Sequence, residues 1–328
     1  MNNIIEGFKN LKIRQKKQSS IIGVLAGGIS SERDISIKTG KNILDSLKRS
    51  GYMVRLIDLK DDGFIDEMKK IDIAFLALHG IYGEDGTVQG LLELLKIPYT
   101  GSGILSSALV MDKVFSKKIM IMENISTPDY IEIDLSSGGG TLSQMDADIR
   151  EKIGYPIVIK PNTEGSTIGI SCIKKASGLE EGIKKAAPYD KNILIEKYID
   201  GRELTVGVIG MDPVVLPIIE IRPKSGFFDY EAKYTKNMTE YIIPPKIKSN
   251  LYKEIQKISL ICHKMLSCCG ISRVDFILDS NDIPYVLEVN TMPGMTSTSL
   301  VPMAAEAADI KFDHLIEIIL DSADLKIR

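Results

Sequence analysis

Residues 272–290 read SRVDFILDSNDIPYVLEVN. Two apolar runs flank a polar turn containing Asn281, Asp282 and Pro284, the pattern of a β-hairpin. With the turn centred between Asn281 and Asp282, Asp275 lies across from Glu288 and Arg273 across from Asn290. Side chains alternate along a strand, so all four share one face. Directly opposed carboxylates repel, and partial burial strengthens the repulsion. A divalent cation removes the conflict, and a small set of oxygen ligands with vacancies for water and phosphate suits Mg²⁺. Taken alone, the segment also fits an exposed sheet face whose acids are merely solvated.

The second strand continues without interruption into EVNTMPGMTSTS, residues 288–299, a loop dense in hydrogen-bonding groups. Earlier in the chain, IVIKPNTEGSTIGIS (157–171) supplies the complementary charge. Lys160 ends one strand there, small residues let backbone N–H groups close over an anion, and Ser166 and Thr167 add hydroxyl donors. The loop lacks the GK[ST] helix start of a Walker A motif, and a plain glycine-rich turn is the alternative. ALHGIYGEDGTVQG (77–90) lies at the carboxyl end of an apolar run, where open α/β sheets place ligands. His79 in it is a ligand contact, a general base, or an isolated structural histidine. AGGISSERDIS (26–36) also follows a strand, and by periodicity its Ser31, Glu32 and Arg33 read as helix caps.

The whole chain narrows these readings. Its 328 residues are 44% hydrophobic and 26% charged, the balance of a soluble globular protein with room for two or three domains. A net charge of -3 gives no basic field for a phosphate polymer, so nucleic acid is not an expected partner. Cys172, Cys262, Cys268 and Cys269 form no CxxC pair, which points to reduced thiols in a cytoplasmic protein. KNLKIRQKKQSS before IIGVLAGG superficially resembles a signal peptide, but the apolar part is too short and runs directly into SSERD. It reads as a buried first strand, with residues 1–19 as a mobile basic arm. No segment approaches the roughly 18 apolar residues of a membrane span, so no membrane insertion is expected. From Ile21, short apolar runs alternate with helical stretches, predicting a doubly wound parallel sheet and hence an α/β first domain. In the last third, strands follow one another with little helix between them, predicting an α+β part with antiparallel pairing.

Together GGISSERDIS, LHGIYGEDGTVQGLLELLKIPYTGSG, MDK, KPNTEGSTIG, EKYIDGRELTVGV, FFDYEAKY, RVDFIL and LEVNTMPGMTSTSLVP closely resemble the D-alanine:D-alanine ligases of the ATP-grasp superfamily, over about residues 21–320. The resemblance implies a three-domain ATP-grasp fold, divided here at 20–101, 102–199 and 200–328. It implies ATP as substrate, held between the second and third domains, with D-alanine as the other substrate in a site closed by all three. Asp275, Glu288 and Asn290 would ligate two Mg²⁺ ions, with Mn²⁺ as a substitute. Lys113, Lys160 and Lys233 resemble phosphate-binding lysines, while Glu196, Lys197, Ile199 and Glu203 fall where the family holds adenine and ribose. Glu32 would bind the ammonium of the first D-alanine, with His79 in support. Arg273 and amides near Gly294 would bind its carboxylate and later the oxyanion, and Ser299 with the Leu300 amide would take the second carboxylate. Ser166 and Tyr234 would join Glu32 in a hydrogen-bonded bridge, and residues 225–235 would form a lid. A homodimer is also implied. Ile29, Asp34 and NTEG depart from the usual family residues without removing a matched functional one. Ligation to D-lactate or D-serine, and a non-catalytic nucleotide-binding protein, are the competing readings.

Overall fold

The computed structural model describes residues 19–223 and 238–327, and three sheets organise them. In the first, β1 (Ile21–Ala26), β2 (Met53–Asp58) and β3 (Ile73–Leu76) run parallel in the order β2-β1-β3. α1 (Arg33–Arg49) and α2 (Phe64–Met68) make the crossovers. Ile22, Val24, Leu25 and Ala26 are all buried, because the sheet is covered on both faces and so needs a continuous apolar run. α1 lies close on the sheet at Gly40, whose missing side chain would collide with Ala26 and Leu56. Next come α3 (Thr87–Leu95), α4 (Ile104–Met111) and α5 (Lys113–Met122).

The second sheet contains β4 (Tyr130–Asp134), β5 (Ile157–Pro161), β6 (Ser171–Ile173) and β7 (Asn192–Lys197), paired antiparallel in the order β4-β7-β5-β6. α6 (Leu142–Lys152) and α7 (Leu179–Ala186) cover it. The third sheet is antiparallel throughout its path, β11 (Thr239–Ile242), β10 (Ile219–Pro223), β8 (Gly201–Gly210), β12 (Gly270–Asp279), β13 (Pro284–Asn290), with β9 (Val214–Val215) beside β8. α8 (Ser249–Met265) packs on it, and α9 (Leu300–Glu306) and α10 (Phe312–Asp321) follow the hairpin.

The hairpin pairs Asp275 with Glu288 and Arg273 with Asn290. The route to that register differs from the sequence arithmetic. Phe276 pairs with Val286 and Leu278 with Pro284, which centres the turn on Asn281 and leaves Leu287 as an extra, bulged residue. The bulge restores the pairing above it.

The first and third sheets share one core, in which Ile22, Val24 and Leu47 cluster with Ile209, Ile271 and Ile319. The second keeps its own around Ile149, Ile159 and Ile195. The chain end also returns to the first sheet, where Tyr99 bridges Ala74 on one side and Asp324 on the other. The expected basic arm, apart from Ser19, and the expected lid with Lys233 and Tyr234 lie outside the described residues. Gly40→Val should overpack the contact between α1 and β1 and cost about 1–3 kcal/mol. Thermal unfolding checks this: a lowered midpoint is expected, and an unchanged one would refute the close approach.

Candidate active site

Two clefts meet at the hairpin, and Arg273, Glu288 and Leu300 line both. One is lined by Glu32, His79, Lys113 and Ser166 on one side and by Asn290, Gly294 and Ser299 on the other. The second holds Lys160, Thr167, Glu196 and Lys197, then Ile199, Glu203 and Asp275. Every site residue expected from the sequence within the described residues therefore faces one cleft or the other. Lys233 and Tyr234 are outside them.

Glu32 shows how the first sheet delivers a side chain. Gly27 and Gly28 both take positive φ, 76° and 77°, which turns the chain sharply after β1. Asp58 fixes this turn by accepting from the Gly28 and Lys60 amides and from Arg33, whose Nη2 lies 2.5 Å from Oδ2. Glu32 then occupies the N-cap of α1, but its side chain makes no capping bond. The helix-cap reading of this segment is corrected accordingly: the carboxylate instead accepts from Ser166 Oγ, 134 residues away.

That contact closes the glycine-rich loop over the first cleft. Ser166 and Thr167 sit at φ 50° and 65°, an unfavourable region for a β-branched threonine. Neighbouring bonds hold them there: Ser31 Oγ donates to Glu164 (3.1 Å), and Lys113 Nζ donates to the carbonyls of Glu164 (2.7 Å) and Asn162 (3.3 Å). Burial pushes the Lys113 ammonium below its ordinary pKa. His79 is also buried and is pushed down by burial, with Glu32 opposing the shift and Arg273 adding to it. Its Nε2 is 3.4 Å from Thr39 Oγ1.

The hairpin face differs from the simple picture of two opposed acids. Arg273 Nε and Nη2 donate to the two oxygens of Asp275, at 2.9 and 2.7 Å, and Thr205 Oγ1 donates at 2.6 Å. Arginine thus relieves the repulsion that the sequence assigned to a cation. Asn290 Oδ1 accepts from the Met292 amide at 2.8 Å. Among the described residues no hydrogen bond holds the Glu288 carboxylate, and no cluster of three or more His, Cys, Asp or Glu side chains is placed to bind a metal. The donor chemistry still suits Mg²⁺: two carboxylates and an amide oxygen share one face, and no hydrogen bond among the described residues holds the Glu288 carboxylate.

In the second cleft Glu196, 3% exposed, lies 2.6 Å from Lys117 Nζ through Oε1 and 2.5 Å from Lys160 Nζ through Oε2. Burial would raise its carboxyl, but the two ammoniums, Lys117 foremost, bring it below the ordinary value. The cluster carries a surplus positive charge next to an open cleft, as an anionic ligand requires.

Comparison with known proteins fits this geometry. Residues 119–321 match the family profile described as D-ala D-ala ligase C-terminus, and residues 62–102 match D-ala D-ala ligase N-terminus. The chain belongs to the D-alanine–D-alanine ligase family. The D-alanine–D-alanine ligase of Carboxydothermus hydrogenoformans is 48% identical over 303 residues, 91% of this chain and 96% of that one. The crystal structure of the Bacillus anthracis ligase matches with a TM-score of 0.81 and 42% identity, covering 92% of this chain and 96% of that one. The Bacillus anthracis ligase complexed with ATP matches with a TM-score of 0.80 and 39% identity, covering 92% and 97%.

Several residues of this ligase-family site were not found by sequence reading. Thr39 Oγ1 accepts from the Met295 amide (3.3 Å) and Asn42 Nδ2 donates to the Met295 carbonyl (3.2 Å), so one helix turn grips the backbone beside Gly294. Their i, i+3 spacing on α1 gave no hint of a partner 253 residues away. Glu84 lines the first cleft and accepts from the Gly80 amide (2.7 Å); burial and Glu32 push its carboxyl up to about 8. Lys117 read only as a polar position in a helix.

The Asp58 clasp yields a pH prediction. The Arg33 guanidinium holds the Asp58 carboxyl down at about 2, against 3.8 ordinarily. A depressed carboxylate contributes stability that is present above its unfolded pKa and lost as pH falls through the folded one. Asp58→Asn should therefore cost roughly 2 kcal/mol at neutral pH. Unfolding midpoints should show the gap between wild type and variant narrowing from about pH 4 downward. A gap independent of pH would contradict the assignment.

Proposed function

We propose that this chain joins two D-alanine molecules into D-alanyl-D-alanine, splitting ATP to ADP and phosphate by way of D-alanyl phosphate. One observation carries this reading: the hairpin face that presents Arg273 and Glu288 is common to both clefts, so a phosphoryl donor in one and an amino acid in the other would meet there. Family membership and the relative solved with ATP support the nucleotide.

Glu32 binds the ammonium of the first D-alanine, and Arg273 orients its carboxylate. A carboxylate oxygen attacks the γ-phosphorus as the bond to the β-phosphate oxygen breaks, releasing ADP. Lys113, Lys160 and Lys233 neutralise the phosphate charges, and Glu196, Lys197, Ile199 and Glu203 hold adenine and ribose. Asp275, Glu288 and Asn290 would hold two Mg²⁺ ions, or Mn²⁺ in their place, which neutralise charge on the transferring group. Ser299 and the Leu300 amide then hold the second D-alanine by its carboxylate. Its neutral amine attacks the acyl carbonyl, Arg273 and the Gly294 amide stabilise the oxyanion, and phosphate leaves as the carbonyl re-forms, taking up the proton that the amine nitrogen sheds. His79 supports the first subsite. The Glu32–Ser166 bond keeps the loop closed so that water does not reach the acyl phosphate, and Tyr234 would extend that bridge.

The three sheets support a division into 20–101, 102–199 and 200–328. No helix among the described residues is long and apolar enough to cross a membrane. A cytoplasmic homodimer that serves cell-wall precursor synthesis is the setting this reading entails.

ADP release and product identity, assayed with D-alanine, L-alanine, D-serine and D-lactate, test the proposal. D-Alanyl-D-alanine is the expected product. A depsipeptide as main product would reassign the second substrate, and nucleotide binding without turnover on any of them would make the chain a binding protein. Glu288→Gln keeps the shape but removes a charge, and turnover should fall on the order of 10²-fold or more with the fold intact. Retained activity with ordinary magnesium dependence would remove Glu288 from the metal site. Tyr234→Phe removes one hydrogen bond, so the preference for D-alanine over D-lactate should weaken by about twofold to tenfold. Competition between the two substrates across pH 6 to 9 measures it, and an unchanged product ratio would dismiss Tyr234 as the cause.

A further inference from the structure

Lys117 has no part in the reaction just described, yet its side chain is 1% exposed. A buried ammonium is costly unless paired, so its partners define its role. Nζ lies 2.6 Å from Glu196 Oε1, donates to Thr127 Oγ1 at 2.5 Å and the Pro128 carbonyl at 3.2 Å, and sits 5.5 Å from the centre of the Tyr130 ring. Thr127 in turn donates to the Val286 carbonyl of β13, at 2.8 Å, which leaves its oxygen as an acceptor toward Lys117. Lys117 does not line the second cleft, whereas Glu196 and Lys160 do. It approaches Glu196 from behind.

The charge count gives this position its meaning. With Lys160 as its sole partner, Glu196 would form a neutral pair, and a phosphate could engage Lys160 only by competing with a buried carboxylate. Removing Lys160 from such a pair strands a charge away from water. With Lys117 on the far oxygen, Glu196 is already compensated, and the cluster presents one unspent positive charge to the cleft. We propose that Lys117 is a positioning residue for nucleotide binding, which neutralises Glu196 from behind so that Lys160 is available to phosphate. This rests on the reading above that Lys160 contacts the nucleotide phosphates.

The test uses the full chain with ADP and adenosine as probes, in EDTA and without D-alanine, their affinities measured by ligand-observed NMR. Lys117→Met should weaken ADP at least about fivefold and leave adenosine within about twofold, since adenosine carries no phosphate for Lys160 to meet. In the double variant Lys117→Met with Glu196→Gln there is no carboxylate to compete for Lys160. Its ratio of ADP to adenosine affinity should match that of Glu196→Gln alone within about twofold. This comparison stands even where Lys117→Met alone does not fold. Equal losses for both probes in Lys117→Met, or a ratio that still falls when Lys117→Met is added to Glu196→Gln, would overturn the proposal and leave Lys117 a structural plug. A wild-type protein that binds adenosine as well as ADP, or neither, would overturn the phosphate reading of Lys160 itself, and this inference with it.

Discussion

The pairing of Asp275 with Glu288 across one hairpin is the constraint on which the site depends. Strand alternation puts Arg273, Asp275, Glu288 and Asn290 on one side of the sheet, and a slip of one residue would turn the partner strand's pair to the opposite face. The bulge at Leu287 shows how closely that register is maintained, since it absorbs a mismatch between the turn and the functional pairing above it. β8 pairs along the whole length of β12, from Gly201 opposite Asp279 to Gly210 opposite Gly270, so the hairpin is stiffened on its other edge as well. Phe276 and Val286 anchor it from the buried face. The reactive face is thus rigid, and two clefts open on either side of it.

Electrostatics divides the labour between those clefts. In the first, the carboxylates of Glu32, Glu164 and Glu288 outnumber the cations Arg273 and Lys113, which suits an ammonium-bearing ligand. At the wall of the second, Lys117 takes one oxygen of Glu196 from behind while Lys160 faces the cleft, which suits a phosphate-bearing ligand at that point. Arg273 stands at the boundary with Asp275 bound to it. Buried charges of this kind contribute little to stability and are better understood as prepared binding energy.

The cores separate a fixed part from a part packed on its own. α1 and α10 bury the first sheet against the third, and the grip of Thr39 and Asn42 on Met295 ties the substrate loop to that shared body. The second sheet has an independent core and reaches the first through polar contacts, Ser166 to Glu32 and Ser31 to Glu164. Such contacts exchange readily with water or ligand, whereas an apolar core does not.

The hairpin, the parallel first sheet and the antiparallel last third were legible in the sequence because each rests on local pattern: apolar strands about a turn at 272–290, and continuous burial at Ile21–Ala26. Counting residues about a turn gave the facing of Asp275 and Glu288, although the observed turn reaches it only through the bulge at Leu287. The bulge was not legible, because it reflects the balance of β13 against the whole sheet rather than any local signal. Neither were the ion pair of Arg273 with Asp275, the Met295 grip, or the carboxylate shared by Lys117 and Lys160, while the bond from Ser166 to Glu32 was expected through the family resemblance alone. Each joins side chains through tertiary proximity, where distance, burial and charge decide the partner. The sequence by itself determined the elements and the motifs they carry. Tertiary packing decided which charges are compensated and which are left to meet a ligand, because in a low-dielectric interior that depends on the arrangement of all neighbouring groups at once.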